Sequence, residues 1–209
     1  SIQWSRITLF IDMIQRIFMS LKYSAIKISP YEAQDIAKEL FHLSGTAIAL
    51  DGEADFNFKI ETSNKNYLLK ISRPNEDLGY VDFQSKLLQH VATKNTMEIP
   101  EIILDNNGSA ISSTKDDNGE DRLVRLMSWL KGRLWSSVNP HTNSLLKSLG
   151  EKAGLITAGL QDFEHHFADR YLEWDISNAL WCREKLDMFE DTRKNILSTF
   201  LDALGFSRF

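Results

Sequence analysis

The chain has 209 residues, of which 43% are apolar and 25% are charged, and its net charge is −5. These values are typical of a folded globular protein with one large or two small domains, and they exclude a disordered or collagen-like chain. The slightly acidic balance, without a run of basic residues, argues against nucleic acid as a partner. Cys182 is the single cysteine, which excludes a disulfide framework and a multi-cysteine zinc site and favours a cytoplasmic location.

The first segment predicts an amphipathic helix within residues 1–24, because apolar residues recur at helical spacing over 7–21. Asp12 and Arg16 interrupt this stretch, which is also shorter than the ~20 residues that a membrane-spanning helix needs. Its polar face is not rich in lysine and arginine, so packing against its own protein is favoured over a membrane surface. We therefore expect no transmembrane segment.

The next residues predict a helix and then a set of strands. Ser29, Pro30 and Glu32 are typical of a helix start, and the apolar spacing predicts a helix that ends near Gly45. Short apolar or alternating runs separated by turn signals predict strands at 47–50, 56–60, 67–71, 102–104, 110–112 and 123–127. A second helix is predicted at 81–92.

The rest of the chain, from Asn139 onward, has a helical pattern. Asp175 is interpreted as the N-cap of one of these helices. Gly150 and Gly154 predict close helix packing. Strands and helices are segregated along the chain, which predicts an α+β fold rather than a doubly wound parallel sheet.

A lysine interrupts the most apolar predicted strand, YLLKIS at 67–72. Strand alternation places Lys70 on the sheet face opposite Leu69 and Ile71. A buried charge is costly unless an opposite charge meets it. Two interpretations stay open on this pattern alone: Lys70 lies on a solvated face, or it lines a cleft that binds an anion.

Several segments occur in the order found in the small lobe of protein-kinase-like phosphotransferases. They resemble the aminoglycoside phosphotransferase family, especially its hydroxylysine kinase-like branch and the copies fused to class III aminotransferases. The segments, which span about residues 28–185, are GEADFNF at 52–58, YLLKIS at 67–72, VDFQSKLLQHV at 81–91, RLMSWLKGRLW at 125–135, LGEKAGLITAGLQDF at 149–163 and YLEWDISNALW at 171–181. The resemblance implies an ATP-binding small lobe at 25–127, and a hinge with an incomplete helical large lobe at 128–209.

The resemblance also implies ATP and Mg²⁺ at the site. The hairpin that contains Gly52, Asp55 and Asn57 would cover the phosphates, and Lys70 would contact the α- and β-phosphates as a point charge. Backbone groups of the hinge would bind adenine, and the hinge residues are Met127, Ser128, Trp129 and Leu130.

Two departures from the family pattern stand out. The helix glutamate that pairs with the strand lysine in kinases is replaced, and the candidates are Asp82 and Gln84. Gln84 shares the apolar helix face, so we expect it to point inward and to accept a hydrogen bond from Lys70, without the charge assistance of a carboxylate. Asp82 falls on the polar face.

The second departure concerns the catalytic loop. The sequence has no aspartate followed five positions later by asparagine, and no H-G-D motif, so it assigns no catalytic residue and no metal ligand. We expect the nucleotide-binding part of a longer enzyme that phosphorylates a hydroxyl of a small amine-bearing metabolite, inactive by itself. The alternatives are a non-catalytic nucleotide-binding or interaction module, and a helical adaptor if Lys70 is on a solvated edge.

Overall fold

A computed structural model describes residues 28–52, 55–94, 97–169 and 175–206. The predicted amphipathic helix within residues 1–24 lies outside the described residues. The chain divides into two compact units, residues 1–164 and 165–209. The lobe boundary expected between residues 127 and 128 falls inside the first unit and stays a prediction. None of the helices in the described part of the chain is long and apolar enough to cross a bilayer.

An antiparallel sheet forms the centre of the first unit, as the segregated pattern predicts. Its strands in the described residues are β1 (Thr46–Leu50), β2 (Phe56–Glu61), β3 (Asn66–Ile71), β4 (Ile102–Ile103), β5 (Ser112–Lys115) and β6 (Asp121–Ser128). The strand order is β1-β2-β3-β6-β4, and β5 also pairs with β6. The α+β fold is therefore confirmed.

Strand β5 begins two residues later than predicted, because the preceding residues form a closed loop. Asp105 Oδ1 accepts hydrogen bonds from the amides of Asn107 and Ser109, both at 2.8 Å. Ser109 Oγ donates to Ile111 O at 2.6 Å. These side-chain bonds hold the backbone in a turn through residue 111, so the strand starts at Ser112.

Helix α1 (Pro30–Phe41) begins where the sequence predicts. Ser29 and Glu32 form a reciprocal capping box, with distances of 2.6 Å and 3.2 Å between backbone nitrogen and side-chain oxygen. The helix ends at Phe41 rather than near Gly45, because His42 adopts a left-handed conformation (φ 50°) that terminates it. Gly45 instead allows the chain to pass close to the backbone of Glu61, because a Cβ there would lie 2.5 Å from the carbonyl oxygen of Glu61.

The hydrophobic core lies between α1 and one face of the sheet. Ala33 and Ala37 of α1 are fully buried against the sheet residues Phe58, Ile60, Leu69, Ile71, Val124 and Leu126. Leu69 and Ile71 therefore point into the core, and strand alternation directs Lys70 to the opposite face. That opposite face carries the candidate site.

Helix α2 (Leu78–Thr93) and helix α3 (Asn143–Gly159) belong to the same unit. Lys94 Nζ and His90 Nε2 lie 2.7 Å and 2.9 Å from carboxylate oxygens of Asp162, just after α3. These hydrogen bonds, with that of Lys94 the largest cause, lower the pKa of the exposed Asp162 to about 2. The contact joins the end of α2 to the loop that follows α3.

The helical pattern predicted from Asn139 onward is interrupted. Residues 160–169 form turns rather than helix. The prediction of close helix packing at Gly150 and Gly154 is also wrong, since a Cβ on either would meet no heavy atom within 4 Å in the part of the chain that is described.

The second unit contains a 3-10 helix (Ile176–Met188) and helix α4 (Asp191–Phe206). Asp175 caps the 3-10 helix by accepting a hydrogen bond from the amide of Ser177 at 2.9 Å, so its assignment as an N-cap is confirmed. Leu186 and Leu201 are the buried apolar side chains of this unit among the residues described.

Candidate functional site

A cleft of about 200 Å³ lies on the sheet face opposite the core, between the sheet, the β1-β2 hairpin and α2. Its lining residues are Asp55, Asn57, Lys70, Glu76, Tyr80, Val81, Gln84 and Arg125. The cleft is polar at its base, where the side chains of three neighbouring strands meet. Four of the residues predicted from the sequence lie in it: Asp55, Asn57, Lys70 and Gln84.

The register of the sheet brings the polar side chains together. Lys70 on β3 pairs with Asn57 on β2 and with Arg125 on β6. Residues that are directly opposite across antiparallel strands point to the same face. These three side chains therefore lie side by side at the base of the cleft.

Lys70 is held by a carboxylate. Its Nζ lies 3.0 Å from Asp55 Oδ2, and the two side chains are only 25% and 15% exposed. The lysine is thus neither on a solvated edge nor buried without a counterion. This geometry agrees with the part of the second interpretation that places Lys70 in a cleft; the binding of an anion there stays a prediction.

Arg125 is a second cation in the cleft, which sequence reasoning missed. Its side chain is 7% exposed, and its Nη2 lies 3.6 Å from the same Asp55 Oδ2. Burial lowers the pKa of Arg125, while the charge of Asp55 raises it, and a guanidinium stays protonated in proteins. Two cations therefore face one carboxylate oxygen.

Gln84 lies where the helical pattern predicts, but its hydrogen-bond partner differs from the expected Lys70. Gln84 faces the cleft as predicted. Its Oε1 accepts a hydrogen bond at 2.8 Å from Arg125 Nη2 rather than from Lys70. The expected hydrogen bond from Lys70 is therefore wrong within the described residues, because a charged carboxylate is a stronger partner for an ammonium group than a neutral amide. Asp82 lies on the polar side, with its carboxylate 2.8 Å from Lys86.

The hairpin packs tightly at the edge of the cleft. A Cβ on Gly52 would collide with Asn57 Nδ2 and would lie 2.5 Å from Asp55 O. Asn57 Nδ2 donates to that same carbonyl oxygen at 3.2 Å. Asn57 Oδ1 is buried and accepts no hydrogen bond from any described residue. Asn57, which carries this unused acceptor, also lines the cleft.

The four residues predicted as a hinge lie at the end of β6 and are not among the residues that line the cleft. Met127 is buried and pairs with β3 and β4. The amide of Ser128 donates to Glu101 O at 2.8 Å, and the amide of Trp129 donates to Asn66 O at 3.3 Å. The amide of Leu130 donates no backbone hydrogen bond to a described residue.

Arg125, Glu76 and Tyr80 are the lining residues that sequence reasoning missed. A signal for Arg125 was present: like Lys70, it is a charged residue within an apolar strand, in the run RLVRLM at 122–127. Glu76 and Tyr80 carry no comparable signal, because they lie in and just after a loop. The described residues contain no group of three or more histidine, cysteine or acidic side chains that could hold a metal.

Comparisons with known proteins agree with this fold. The sequence profile of the phosphotransferase enzyme family (APH) matches residues 46–203. An amicoumacin kinase in complex with AMP-PNP and Ca²⁺ superposes with a TM-score of 0.61 at 16% identity, over 86% of this chain and 53% of that chain. A microcompartment-associated aminopropanol kinase gives 0.56 at 14% identity, over 70% and 45%. Spectinomycin phosphotransferase in complex with ADP and spectinomycin gives 0.54 at 14%, over 80% and 48%.

The chain spans about half the length of the solved structures that it matches. No curated protein matches its sequence significantly. The likeness at these identities supports the fold, and the family profile covers most of the sequence independently of it. The chain belongs to the phosphotransferase enzyme family.

Proposed function

We propose that this chain binds ATP in the cleft between the β1-β2 hairpin, β3 and α2. The observation that carries the proposal is the convergence of Lys70 and Arg125 on one carboxylate oxygen in a partly closed cleft. Two cations on neighbouring strands are suited to the oxygens of a phosphate chain. Matched structures that contain AMP-PNP and ADP support a nucleotide as the ligand.

The predicted site residues divide into two groups on this proposal. Lys70 contacts the phosphates as a point charge, and the hairpin with Gly52, Asp55 and Asn57 covers them. The hinge binds adenine. Since the amides of Ser128 and Trp129 are already engaged, we expect the amide of Leu130 to donate to the ring.

The activity proposed for the whole protein is transfer of the γ-phosphoryl group of ATP to a hydroxyl of a small amine-bearing metabolite in the cytoplasm. This chain supplies the nucleotide site for that reaction. The names of the aminopropanol kinase and of the other matched structures support a small-molecule substrate. The part played by residues 25–127 is that of the small lobe, and residues 128–209 provide the hinge and the first helices of the large lobe.

The family also implies Mg²⁺, but the described residues do not fit a magnesium site. No group of three potential ligands occurs among them, and the carboxylate of Asp55 is already engaged with Lys70 and Arg125. No catalytic aspartate with a partner asparagine at the required spacing is present in the sequence. We therefore expect this chain by itself to bind nucleotide without phosphoryl transfer.

Calorimetric titration with ATP tests the proposal on the wild type, Lys70→Met and Lys86→Met. Lys86 is a matched control, because it is also paired with a carboxylate, on the same helix as Gln84 but outside the cleft. Losing a charge-assisted contact costs about 1.5–3 kcal/mol, so Lys70→Met should weaken ATP binding by about 10-fold to 150-fold. Lys86→Met should change it by less than about twofold.

Three outcomes would contradict parts of this proposal. Equal ATP affinity of the wild type and Lys70→Met would leave only the adaptor interpretation. ADP formed above background from ATP, Mg²⁺ and a candidate amino alcohol would refute the expected inactivity of the chain alone. ATP binding that persists in the full-length protein without any turnover would favour the non-catalytic module.

A further inference from the structure

Among the described residues, the two cations in the cleft form their ion pairs with one carboxylate, and it lies on the hairpin. Asp55 Oδ2 is 3.0 Å from Lys70 Nζ and 3.6 Å from Arg125 Nη2. One oxygen thus occupies the point where the fields of both cations add. An anionic oxygen of any other group would be stabilised at the same point for the same reason.

We propose that Lys70 and Arg125 form one two-cation phosphate subsite, and that Asp55 occupies this subsite when no nucleotide is bound. Asp55 then competes with the phosphates of ATP rather than holding them. The inference rests on the proposed function, since it assumes that a nucleotide enters this cleft. It assigns a role to Arg125 and reverses the role expected for Asp55.

The contacts of Asp55 allow its carboxylate to leave. Among the described residues, the side-chain oxygens of Asp55 form ion pairs with Lys70 and Arg125, and no hydrogen bond to them is seen from another residue. The other hydrogen bond of Asp55 among the described residues is made by its backbone oxygen, which accepts from Asn57 Nδ2. No backbone amide of a described residue donates to this carboxylate, so within the described residues the two cations are the groups that hold it against exchange for a phosphate oxygen.

The charges of the cleft make this exchange necessary. Its lining contains two cations, Lys70 and Arg125, and two carboxylates, Asp55 and Glu76. The cleft is therefore neutral while Asp55 stays in place, and a polyphosphate would gain little from entering it. Displacing Asp55 from the cations leaves an excess of positive charge for the incoming phosphates.

Gln84 fits the same arrangement as a positioning residue. Its amide oxygen holds Arg125 Nη2 at 2.8 Å without adding a negative charge. A glutamate at this position would orient the guanidinium equally well but would neutralise it. The amide therefore leaves Arg125 available to a second anion.

The test compares ATP with adenosine, which has no phosphates, as ligands of the wild type, Asp55→Asn and Glu76→Gln. We expect Asp55→Asn to bind ATP about tenfold more tightly, which corresponds to about 1.4 kcal/mol, and to bind adenosine as the wild type does. Glu76→Gln is the matched control, because it removes one negative charge from the same cleft without touching the carboxylate that faces both cations. It should change ATP affinity by a smaller factor.

Two further variants test the cation pair. Arg125→Met should weaken ATP binding about tenfold and leave adenosine binding unchanged. Gln84→Glu keeps the orientation of Arg125 and adds a charge, so it should also weaken ATP binding selectively; it provides the evidence should Arg125→Met fail to fold.

The outcomes separate this inference from the proposed function. Weaker or unchanged ATP binding by Asp55→Asn, while adenosine still binds, would overturn the competition and leave the nucleotide site in place. Equal gains from Asp55→Asn and Glu76→Gln would also overturn it, since the effect would then be general electrostatics. Failure of the wild type to bind either ligand would overturn the proposed function and this inference with it.

Discussion

Replacing Arg122 with methionine is the most informative test of what holds the sheet together. Arg122 is fully buried, and the side chain of Asp116 beside it is 4% exposed. Arg122 donates to Asp116 Oδ2 from Nε at 2.9 Å and from Nη2 at 2.6 Å, and its Nη1 donates to Ser72 O at 2.9 Å. The pair thus joins β6, the β5-β6 turn and the residue after β3.

Removing one partner of a buried ion pair costs about 3–5 kcal/mol, because the other charge stays buried without compensation. Here Asp116 would keep two hydrogen bonds from the amides of Asn118 and Glu120, at 2.9 Å and 3.0 Å. Methionine also fills much of the volume of the arginine. We therefore expect Arg122→Met to lower the free energy of unfolding by about 3 kcal/mol, the lower end of that range.

The effect of Arg122→Met should depend on pH in a defined direction. Burial by itself would raise the pKa of Asp116, but the hydrogen bonds from Arg122 and from the two amides outweigh it and lower the pKa below 3.8. A lowered pKa in the folded state stabilises the protein above the unfolded-state pKa, and this contribution is lost as the pH falls through the folded-state value. The difference in free energy of unfolding between wild type and Arg122→Met should therefore become smaller at acidic pH.

Urea denaturation followed by circular dichroism measures both effects. Lys115→Met is the matched control on the same hairpin, since Lys115 pairs with Asp121 at 2.8 Å while both side chains are more than 60% exposed. An exposed pair contributes about 0–1 kcal/mol. An Arg122→Met variant that loses no more stability than Lys115→Met would refute the reasoning.

Two further predictions concern the contact after α3 and the hairpin. Nuclear magnetic resonance of the Asp162 carboxyl group should show a titration midpoint of about 2, and Lys94→Met should raise that midpoint. The stabilisation from the contact of Asp162 with Lys94 and His90 is fully present above the ordinary pKa of 3.8 and is lost as the pH falls through about 2. Gly52→Ala should lower the free energy of unfolding by about 1–3 kcal/mol, because the added methyl group would lie 2.5 Å from the backbone oxygen of Asp55, which cannot turn aside as a flexible side chain can. Gly132→Ala, which adds its methyl group in open space, should change the free energy of unfolding by less than about 0.5 kcal/mol in the same urea denaturation.

The parts of the site that follow from local periodicity could be predicted from the sequence. Alternation along β3 placed Lys70 opposite Leu69 and Ile71, and both neighbours are fully buried in the core. The helical period turned Gln84 toward the cleft. Such inferences work because a strand or helix fixes the direction of each side chain relative to its neighbours in the chain.

The partners across the cleft could not be predicted, because they depend on which strands pair. Strand β6 lies between β3 and β4, although β4 and β5 separate it from β3 in the sequence. This order brings Arg125 next to Lys70, and nothing in the alternation of either strand specifies it. Asp55 reaches Lys70 from a hairpin whose conformation depends on close packing at Gly52.

Two features of the cleft that differ from the kinase pattern, the uncharged Gln84 and the carboxylate partner of Lys70, are connected. In the kinase pattern a helix glutamate is the counterion of the strand lysine. Here the helix position carries the uncharged Gln84, and the counterion is Asp55 on the hairpin that covers the cleft. The place of a counterion on the hairpin is set by the hairpin, whereas that of a counterion on α2 would be set by the helix. If the cleft binds ATP as proposed, the charge around Lys70, and with it the affinity for phosphate, depends on Asp55 of the hairpin rather than on a carboxylate of α2.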